Sequence, residues 1–284
     1  RFYHHCVMNA SICLTSAHSF VMILLVIPMV LTFDIGNSNI AFAGVEEGRT
    51  VFSCSLSTKT TRTADEYAVL LELMARQRNI DLHTAEGAII ASVVPSQTSL
   101  LRQALYVASG KRALVVGPGV KTGLNIRIDD PTDLGGDLVA AAIAALDRYP
   151  MPCVTIDMSM ATAFGVLDAK GNYIGGSIAP GVLLSHNALL SGASKLPSIS
   201  PDAPKSVIGR TTEDAVHSGV ILGAAALLDG LLERIEDELG CRPSVIATGE
   251  FADTVVPHCK RRDIIIDPEL TMRGLWLIYH KNVK

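Results

Sequence analysis

The chain lacks several features that mark whole classes of protein. Aromatic residues make up 5% of its 284 residues, with a single tryptophan. No run of lysine and arginine is longer than the isolated stretch Lys260-Arg261-Arg262, and the formal net charge is −4. Binding to nucleic acid depends on a basic face or stripe, so we expect no nucleic-acid partner.

The cysteines show no pattern of a disulfide framework or a zinc site. They are scattered, with no CxxC pair and no histidine at metal-ligand spacing, at positions Cys6, Cys13, Cys54, Cys153, Cys241 and Cys259. Scattered cysteines in a chain of this length indicate reduced thiols packed as small apolar residues. We therefore expect a cytoplasmic protein without disulfides or structural zinc.

The chain also has little that resembles a membrane span. Residues 20–33 form an apolar run that is short for a transmembrane helix and has no small-residue cleavage site before Asp34. A signal-peptide core is one reading of this run. The favoured reading is that the protein starts at Met22 or Met29, that 29–33 is the first buried strand, and that residues 1–28 are upstream or disordered sequence. We expect no membrane partner.

What the sequence does contain favours an α/β protein. Hydrophobic residues make up 49% of the chain, and 23 glycines are present. This composition suits parallel strands packed against helices. A strand ending in Asp, a hairpin and a helix follow one another twice, which predicts two similar halves, 29–147 and 148–284. A capping box at Thr63 and Glu66 predicts the start of one helix.

Two segments carry the strongest functional signal: Asp34-Ile-Gly-Asn-Ser-Asn39 and Thr155-Ile-Asp-Met-Ser-Met-Ala-Thr162. Each is the end of an apolar run that delivers an Asp and then turns through small or polar residues. The N–H groups after Gly36 can form a nest for phosphate oxygens, and Asp34 can hold Mg²⁺ through water. The alternative is an Asp that makes only local hydrogen bonds in a turn.

Other small-residue segments permit two interpretations each. Asp137 follows Gly135-Gly136 at the start of a helix, where it is either an N-cap, the favoured reading in isolation, or a general base. Residues 175–181 are interpreted as a turn leading into a helix and suited to a polar ligand. Residues 208–212 and 247–249 are either helix caps or contacts to a ligand.

The joint pattern is more specific than any of its members. In chain order it comprises DIGNSN, TADEY, DDPTDLGGD, TIDMSMAT, GGSIAPG, IGRTTEDAVHSG, ATGE and DPELTMRGL. This order resembles type III pantothenate kinases, and the resemblance covers Met29 to Asn282. It implies the actin-like fold, an α/β architecture of two RNase H-like halves with mixed sheets flanked by helices.

The resemblance also implies an activity and its site. The family transfers the γ-phosphate of ATP to pantothenate, the first step towards coenzyme A, as a homodimer with Mg²⁺ and a monovalent cation, K⁺ or NH₄⁺. The implied ATP and phosphate contacts are Asp34, Ile35, Gly36, Asn37, Ser38, Asn39, Ile40, Ala41 and Met160. The implied substrate contacts are Ile128, Gly135, Gly136, Asp137, Leu138 and, across the dimer, Thr212. Asp137 would be the general base, Asp157 the ligand of the monovalent cation, and Asp34 the ligand of Mg²⁺ through water.

The sequence departs from the usual family motifs at several positions. The family usually has an Arg at Leu138, an aromatic residue at Ile128, a Gly at Ser159, a hydroxyl residue at Met160 and a Gly at Glu250. Leucine cannot replace a bidentate guanidinium, and Met160 removes a phosphate donor. These differences predict weaker activity or an altered substrate.

Two hypotheses follow. The first is a working kinase for pantothenate or a related small hydroxyl substrate. The second is a catalytically impaired homologue that binds a nucleotide or a coenzyme A metabolite in a regulatory role. Retention of Asp34, Asp137 and Asp157 favours the kinase.

Overall fold

The fold is taken from a computed structural model that describes residues 29–192, 204 and 206–283. The expectation for residues 1–28 lies outside the described residues. The prediction of a buried first strand is confirmed, because Met29 is buried and a strand with a fully buried apolar face follows it at once.

The first half contains a five-stranded sheet. Its strands are β1 (Val30–Ile35), β2 (Asn39–Glu46), β3 (Arg49–Ser57), β4 (Gly87–Ser92) and β5 (Ala113–Val115), and its helices are α1 (Ala64–Arg76) and α2 (Pro95–Ser109). The order is β3-β2-β1-β4-β5, with the first three strands antiparallel and β1, β4 and β5 parallel. The predicted capping box opens α1: Thr63 Oγ1 accepts from the N–H of Glu66, whose carboxylate accepts from the N–H of Thr63.

The second half repeats this arrangement. Its strands are β6 (Asn125–Ile126), β7 (Cys153–Met158), β8 (Ala161–Leu167), β9 (Asn172–Pro180), β10 (Ser244–Thr248) and β11 (Ile264–Ile266). The order is β11-β10-β7-β8-β9-β6. Without the two-residue β6, strand order and directions match those of the first sheet. The predicted pair of RNase H-like halves is therefore confirmed, while the boundary at residue 147 remains a prediction.

The remaining helices complete a layered molecule. They are α3 (Gly136–Arg148), α4 (Val182–Gly192), α5 (Thr212–His217), α6 (Gly223–Leu239), α7 (Ala252–Val255) and α8 (Leu270–Asn282), with a π-helical turn, Ser218–Leu222, joining α5 to α6. Helices α1 and α2 cover the outer face of the first sheet, α6 and α7 cover the outer face of the second, and α3 and α8 pack between the two sheets.

One local prediction was wrong. The glycines of residues 175–181 do not form a turn, because Gly175 and Gly176 lie inside β9. A Cβ at Gly176 would lie within 2 Å of the carbonyl oxygen of Phe164 on β8. Gly176 therefore lets two strands approach closely, whereas a Cβ at Gly175 would meet nothing within 4 Å.

Within the described residues, the segment Thr212–Leu239 is long and apolar enough to cross a membrane on length and composition alone. Core helices pass the same test. Its residues Ile221, Ala225, Leu228 and Leu232 are buried in the core beside the second sheet. The segment is therefore explained as a core helix.

Candidate active site

The fold brings the three predicted carboxylates together at one edge of the two sheets. Asp34 lies near the end of β1, Asp157 takes the corresponding place on β7, and Asp137 lies in the first turn of α3. Burial raises the pKa of Asp34 well above its usual range, and the charges of Asp137 and Asp157 raise it further. The three groups therefore repel one another in a poorly hydrated place.

Asp157 has the clearest electrostatic signature. Burial raises its pKa to about 6, the charge of Asp137 adds to the rise, and a hydrogen bond from Ser159 opposes it. Ser159 Oγ donates to Asp157 Oδ1 at 2.5 Å. The serine that replaces the usual glycine therefore orients this carboxylate and helps it to stay ionised.

The favoured N-cap interpretation of Asp137 was wrong. The N-cap of α3 is Gly135, and no side chain caps the helix. Oδ1 of Asp137 is buried and accepts no hydrogen bond from any described residue. A Cβ at Gly135 would lie 2.4 Å from this oxygen, so glycine is needed to make room for it. A buried acceptor with no partner is costly, which favours a role in binding or catalysis.

Hydrogen bonds from Gly36 and Thr58 hold the turn between β1 and β2 and leave two of its backbone N–H groups without an acceptor among the described residues. The N–H of Gly36 donates to the carbonyl of Asn39 at 2.9 Å. Thr58, just after β3, donates its hydroxyl to the carbonyl of Gly36 at 2.8 Å and its N–H to that of Ser38 at 2.9 Å. The N–H groups of Asn37 and Ser38 donate to no described backbone carbonyl or side chain. Two adjacent N–H groups are thus available to an anion.

The equivalent turn between β7 and β8 is held differently. The N–H of Ser159 donates to the carbonyl of Ala161 at 3.0 Å, and the N–H of Gly181 donates to that of Met160 at 3.1 Å. Gly249 crosses over this turn with a φ of +93°, and a Cβ there would lie 2.6 Å from Asp157 Oδ1 and from the N–H nitrogen of Met158. The sequence did not reveal this contact, which joins residues far apart in the chain.

A cleft of about 120 Å³ separates the two turns. Its lining comprises Asn37, Ser38, Lys59, Ser159, Met160, Leu183, Leu184, Asn187, Glu250 and Phe251. Asn39 Nδ2 donates to Glu250 Oε2 at 3.2 Å and so joins the first half to the second. A larger cavity of about 530 Å³ lies near the end of α1 and contains none of the predicted site residues.

The other predicted site residues are distributed as follows. The side chains of Ile35 and Ile40 are fully buried in the core, so only their backbone groups can reach a ligand. Ile128 is half-buried against the core between the sheets, and Leu138 is half-buried beside Asp137 in α3. Thr212 opens α5, is exposed and does not line the cleft.

Tyr173 was missed by the sequence reasoning. Burial raises its pKa to about 12, and the charge of Asp137 contributes. Its ring packs close to Gly165, where a Cβ would lie 2.9 Å from ring carbon Cε2. No sequence motif marks it, because its proximity to Asp137 arises only when the folded chain brings Tyr173 into the core cluster that contains α3.

The donor set fits a hard cation. Carboxylate oxygens are the ligands that Mg²⁺ and K⁺ prefer, and a cation would relieve the repulsion among the three acids. Within the described residues, no three acidic, His or Cys side chains converge closely enough to hold one ion between them. A cation here would therefore need water or phosphate oxygens as further ligands.

Comparison with known proteins gives concordant matches. The family model for type III pantothenate kinase matches residues 30–234. The chain is 37% identical over 254 residues to a type III pantothenate kinase of Exiguobacterium sibiricum, covering 89% of this chain and 100% of that protein. It is 41% identical over 256 residues to the one of Shouchella clausii, with coverages of 89% and 100%.

The fold is similar to that of a solved actin-like protein. The crystal structure of MreB 5 of Spiroplasma citri bound to AMPPNP matches with a TM-score of 0.52 and 10% identity, over 89% of this chain and 96% of that one. At this identity the similarity concerns the fold alone.

Proposed function

The chain belongs to the type III pantothenate kinase family, and we infer that it transfers the γ-phosphate of ATP to pantothenate, giving 4′-phosphopantothenate on the way to coenzyme A. The observation that carries this inference within the molecule is Asp137, whose buried Oδ1 accepts no hydrogen bond from a described residue and lies near Asp34 and Asp157. The impaired homologue is not favoured, because all three acids are kept and placed together.

Asp137 serves as the general base in this proposal. Its Oδ1 accepts the proton of the pantothenate hydroxyl as that oxygen forms its bond to the γ-phosphorus and the bond to the β-phosphate oxygen breaks, releasing ADP. Gly135 leaves room for this oxygen, because a Cβ there would lie 2.4 Å from it, whereas Gly136 packs against Val116. Leu138 and Ile128 line the acceptor end of the site.

The two turns bind the phosphate chain. Asn37 and Ser38, whose N–H groups have no acceptor among the described residues, line the cleft from the first half, and Met160 lines it from the second. No described carbonyl accepts from the N–H of Met160, so position 160 can bind phosphate through its backbone despite the lost hydroxyl. Lys59 adds a positive charge on the same cleft.

Bound cations complete the proposal. When bound, Mg²⁺ and a monovalent cation neutralise the charge that develops on the phosphoryl group. Asp34 would hold Mg²⁺ through water and Asp157 would hold K⁺ or NH₄⁺. Both carboxylates are destabilised as anions without a counterion, as the direction of their pKa shifts indicates.

We also propose a homodimer, located in the cytoplasm as befits relatives that are bacterial metabolic enzymes. Several large apolar side chains are exposed on β9, α4 and the segment before α5: Ile174, Ile178, Leu184, Leu189, Val207 and Ile208. Ile178 is 75% and Ile208 81% exposed. A second copy would cover this surface and bring its Thr212 to the acceptor site. Light scattering should give twice the 30.2 kDa of one chain.

The experiment that tests the function is ATP-dependent phosphorylation of pantothenate with Mg²⁺ and K⁺, in wild type and in Asp137→Asn. Wild type should form 4′-phosphopantothenate. The variant should lose about 10²–10⁴-fold in kcat, with ATP binding by calorimetry preserved. Wild type that binds ATP without making product would point to another acceptor, and an unchanged kcat in the variant would refute the role of Asp137.

A further inference from the structure

Asn39 and Glu250 form a side-chain contact across the cleft between its two turns. Asn39 Nδ2 donates to Glu250 Oε2 at 3.2 Å. Asn39 begins β2 directly after the first phosphate turn. Glu250 follows Gly249, whose backbone lies against Asp157 and Met158. The contact therefore joins the first phosphate turn to the segment after β10, which packs against Asp157 and the second turn.

The cleft is small when the Asn39–Glu250 hydrogen bond is formed. Its volume is about 120 Å³, whereas pockets for small ligands are typically about 300–1,000 Å³. A nucleotide can enter between the turns only if they move apart. Since Asn39 and Glu250 link the two sides of this cleft, entry of the nucleotide and the Asn39–Glu250 hydrogen bond compete.

The charged side chains on the two sides of the cleft act on a triphosphate in opposite directions. Lys59 lines the cleft from the first half, and Glu250 lines it from the second. The lysine attracts a triphosphate, while the carboxylate of Glu250 repels it and is held at the cleft by its bond to Asn39.

We propose that the Asn39–Glu250 hydrogen bond is a latch that holds the nucleotide cleft closed, and that Glu250 thereby lowers the affinity of the enzyme for adenine nucleotides. The latch rests on the kinase function proposed above. The hydrogen bond is exposed, and exposed pairs contribute little free energy. Removing it should therefore tighten nucleotide binding by about two- to fivefold.

Three variants separate the latch from simple charge repulsion. Glu250→Ala removes both the acceptor and the charge, Glu250→Gln removes the charge and keeps an acceptor oxygen, and Asn39→Ala removes the donor. Glu238→Gln, an exposed position on α6, is the matched control for loss of one negative charge. Calorimetry would measure the dissociation constants of MgATP and of adenosine, which carries no phosphate.

If the latch exists, Glu250→Ala tightens the binding of both ligands, and Glu250→Gln tightens adenosine binding much less. In a protein that already carries Asn39→Ala, Glu250→Ala has no effect on adenosine binding. Tightening of ATP alone, equal in the Gln and Ala variants, would overturn the latch in favour of repulsion. If the variants bind both ligands with the affinity of wild type, and wild type phosphorylates pantothenate, the latch alone is overturned. A wild type that neither binds ATP nor makes product would refute the function and the latch together.

Discussion

At the scale of single residues, the site consists of buried carboxylates whose negative charge no neighbouring cationic side chain among the described residues neutralises. Asp34 and Asp157 have raised pKa values because of burial and of repulsion from neighbouring carboxylates, Asp137 in both cases. These acids could be predicted from the sequence, since each ends an apolar strand before a turn. Lys59 and Tyr173 could not, because their positions depend on packing between segments distant in the chain.

Asp157→Asn should make the protein more stable and less active. An acid whose folded pKa is about 6 contributes stability below its unfolded pKa of 3.8, and that stability is lost as the pH rises through 6. At pH 7.5 without Mg²⁺ or K⁺, the variant should therefore gain on the order of 1–3 kcal/mol in unfolding free energy, with the gain vanishing near pH 4. Urea unfolding at the two pH values measures this.

Two controls accompany that prediction. Asp253→Asn, at an exposed position on α7, should leave the stability unchanged at both pH values. Adding Mg²⁺ and K⁺ should stabilise wild type more than Asp157→Asn, because ligands stabilise the state that binds them. If Asp157→Asn is less stable than wild type at pH 7.5, the ionised carboxylate of Asp157 does not destabilise the folded protein and the prediction is wrong.

At the scale of elements, the sequence predicted the buried first strand, the capped start of α1 and the repeated order of strand, hairpin and helix. The sequence could not predict β6, which has two residues and no periodicity, or the π-helical turn Ser218–Leu222. It also misassigned Gly175 and Gly176, because a glycine that permits close strand contact has the same local signature as a glycine in a turn.

Gly249 and Gly119 form a matched pair for testing the turn over Asp157. Both have positive φ, +93° and +90°, so alanine costs each about 1–2 kcal/mol of backbone strain. A Cβ at 119 meets nothing within 4 Å, whereas at 249 it meets Asp157 Oδ1 at 2.6 Å. Gly249→Ala should therefore lower kcat roughly 10²-fold by displacing Asp157, and Gly119→Ala should not. Equal kcat values in the two variants would show that Gly249 does not position the carboxylate.

At the scale of the whole molecule, a buried polar network joins both halves away from the cleft. Arg273 on α8 donates to Asp267 Oδ2 at 2.7 Å and to the carbonyl of Gly48, in the β2–β3 turn, at 3.3 Å. Tyr149 donates to the same Asp267 oxygen at 2.7 Å. The arginine and its hydrogen bonds hold the pKa of Asp267 below its usual range against the effect of burial. Sequence could not reveal this network, which links residues more than 200 positions apart.

Arg273→Met should destabilise the protein by about 3–5 kcal/mol, because it leaves Asp267 buried without its partner. Tyr149→Phe should cost about 1 kcal/mol, the usual value of one hydrogen bond. Guanidinium unfolding would measure both. Adding Asp267→Asn to Arg273→Met should recover part of the loss, and a loss in Arg273→Met no larger than in Tyr149→Phe would contradict the buried ion pair.

The position of α8 has a consequence for the synthesis of the protein. Although it is the last helix in the chain, α8 covers β1 and β4 of the first sheet: Tyr279 lies against Gly87, and Gly274 lies against Ala140 of α3. On the ribosome, the part of the inner face of β1 and β4 that α8 covers therefore stays uncovered until α8 has emerged, although α3 is made earlier and packs on the same face. The N-terminal half is therefore made first but is completed only when α8 packs against it, and part of its apolar surface stays uncovered while the second half is synthesised.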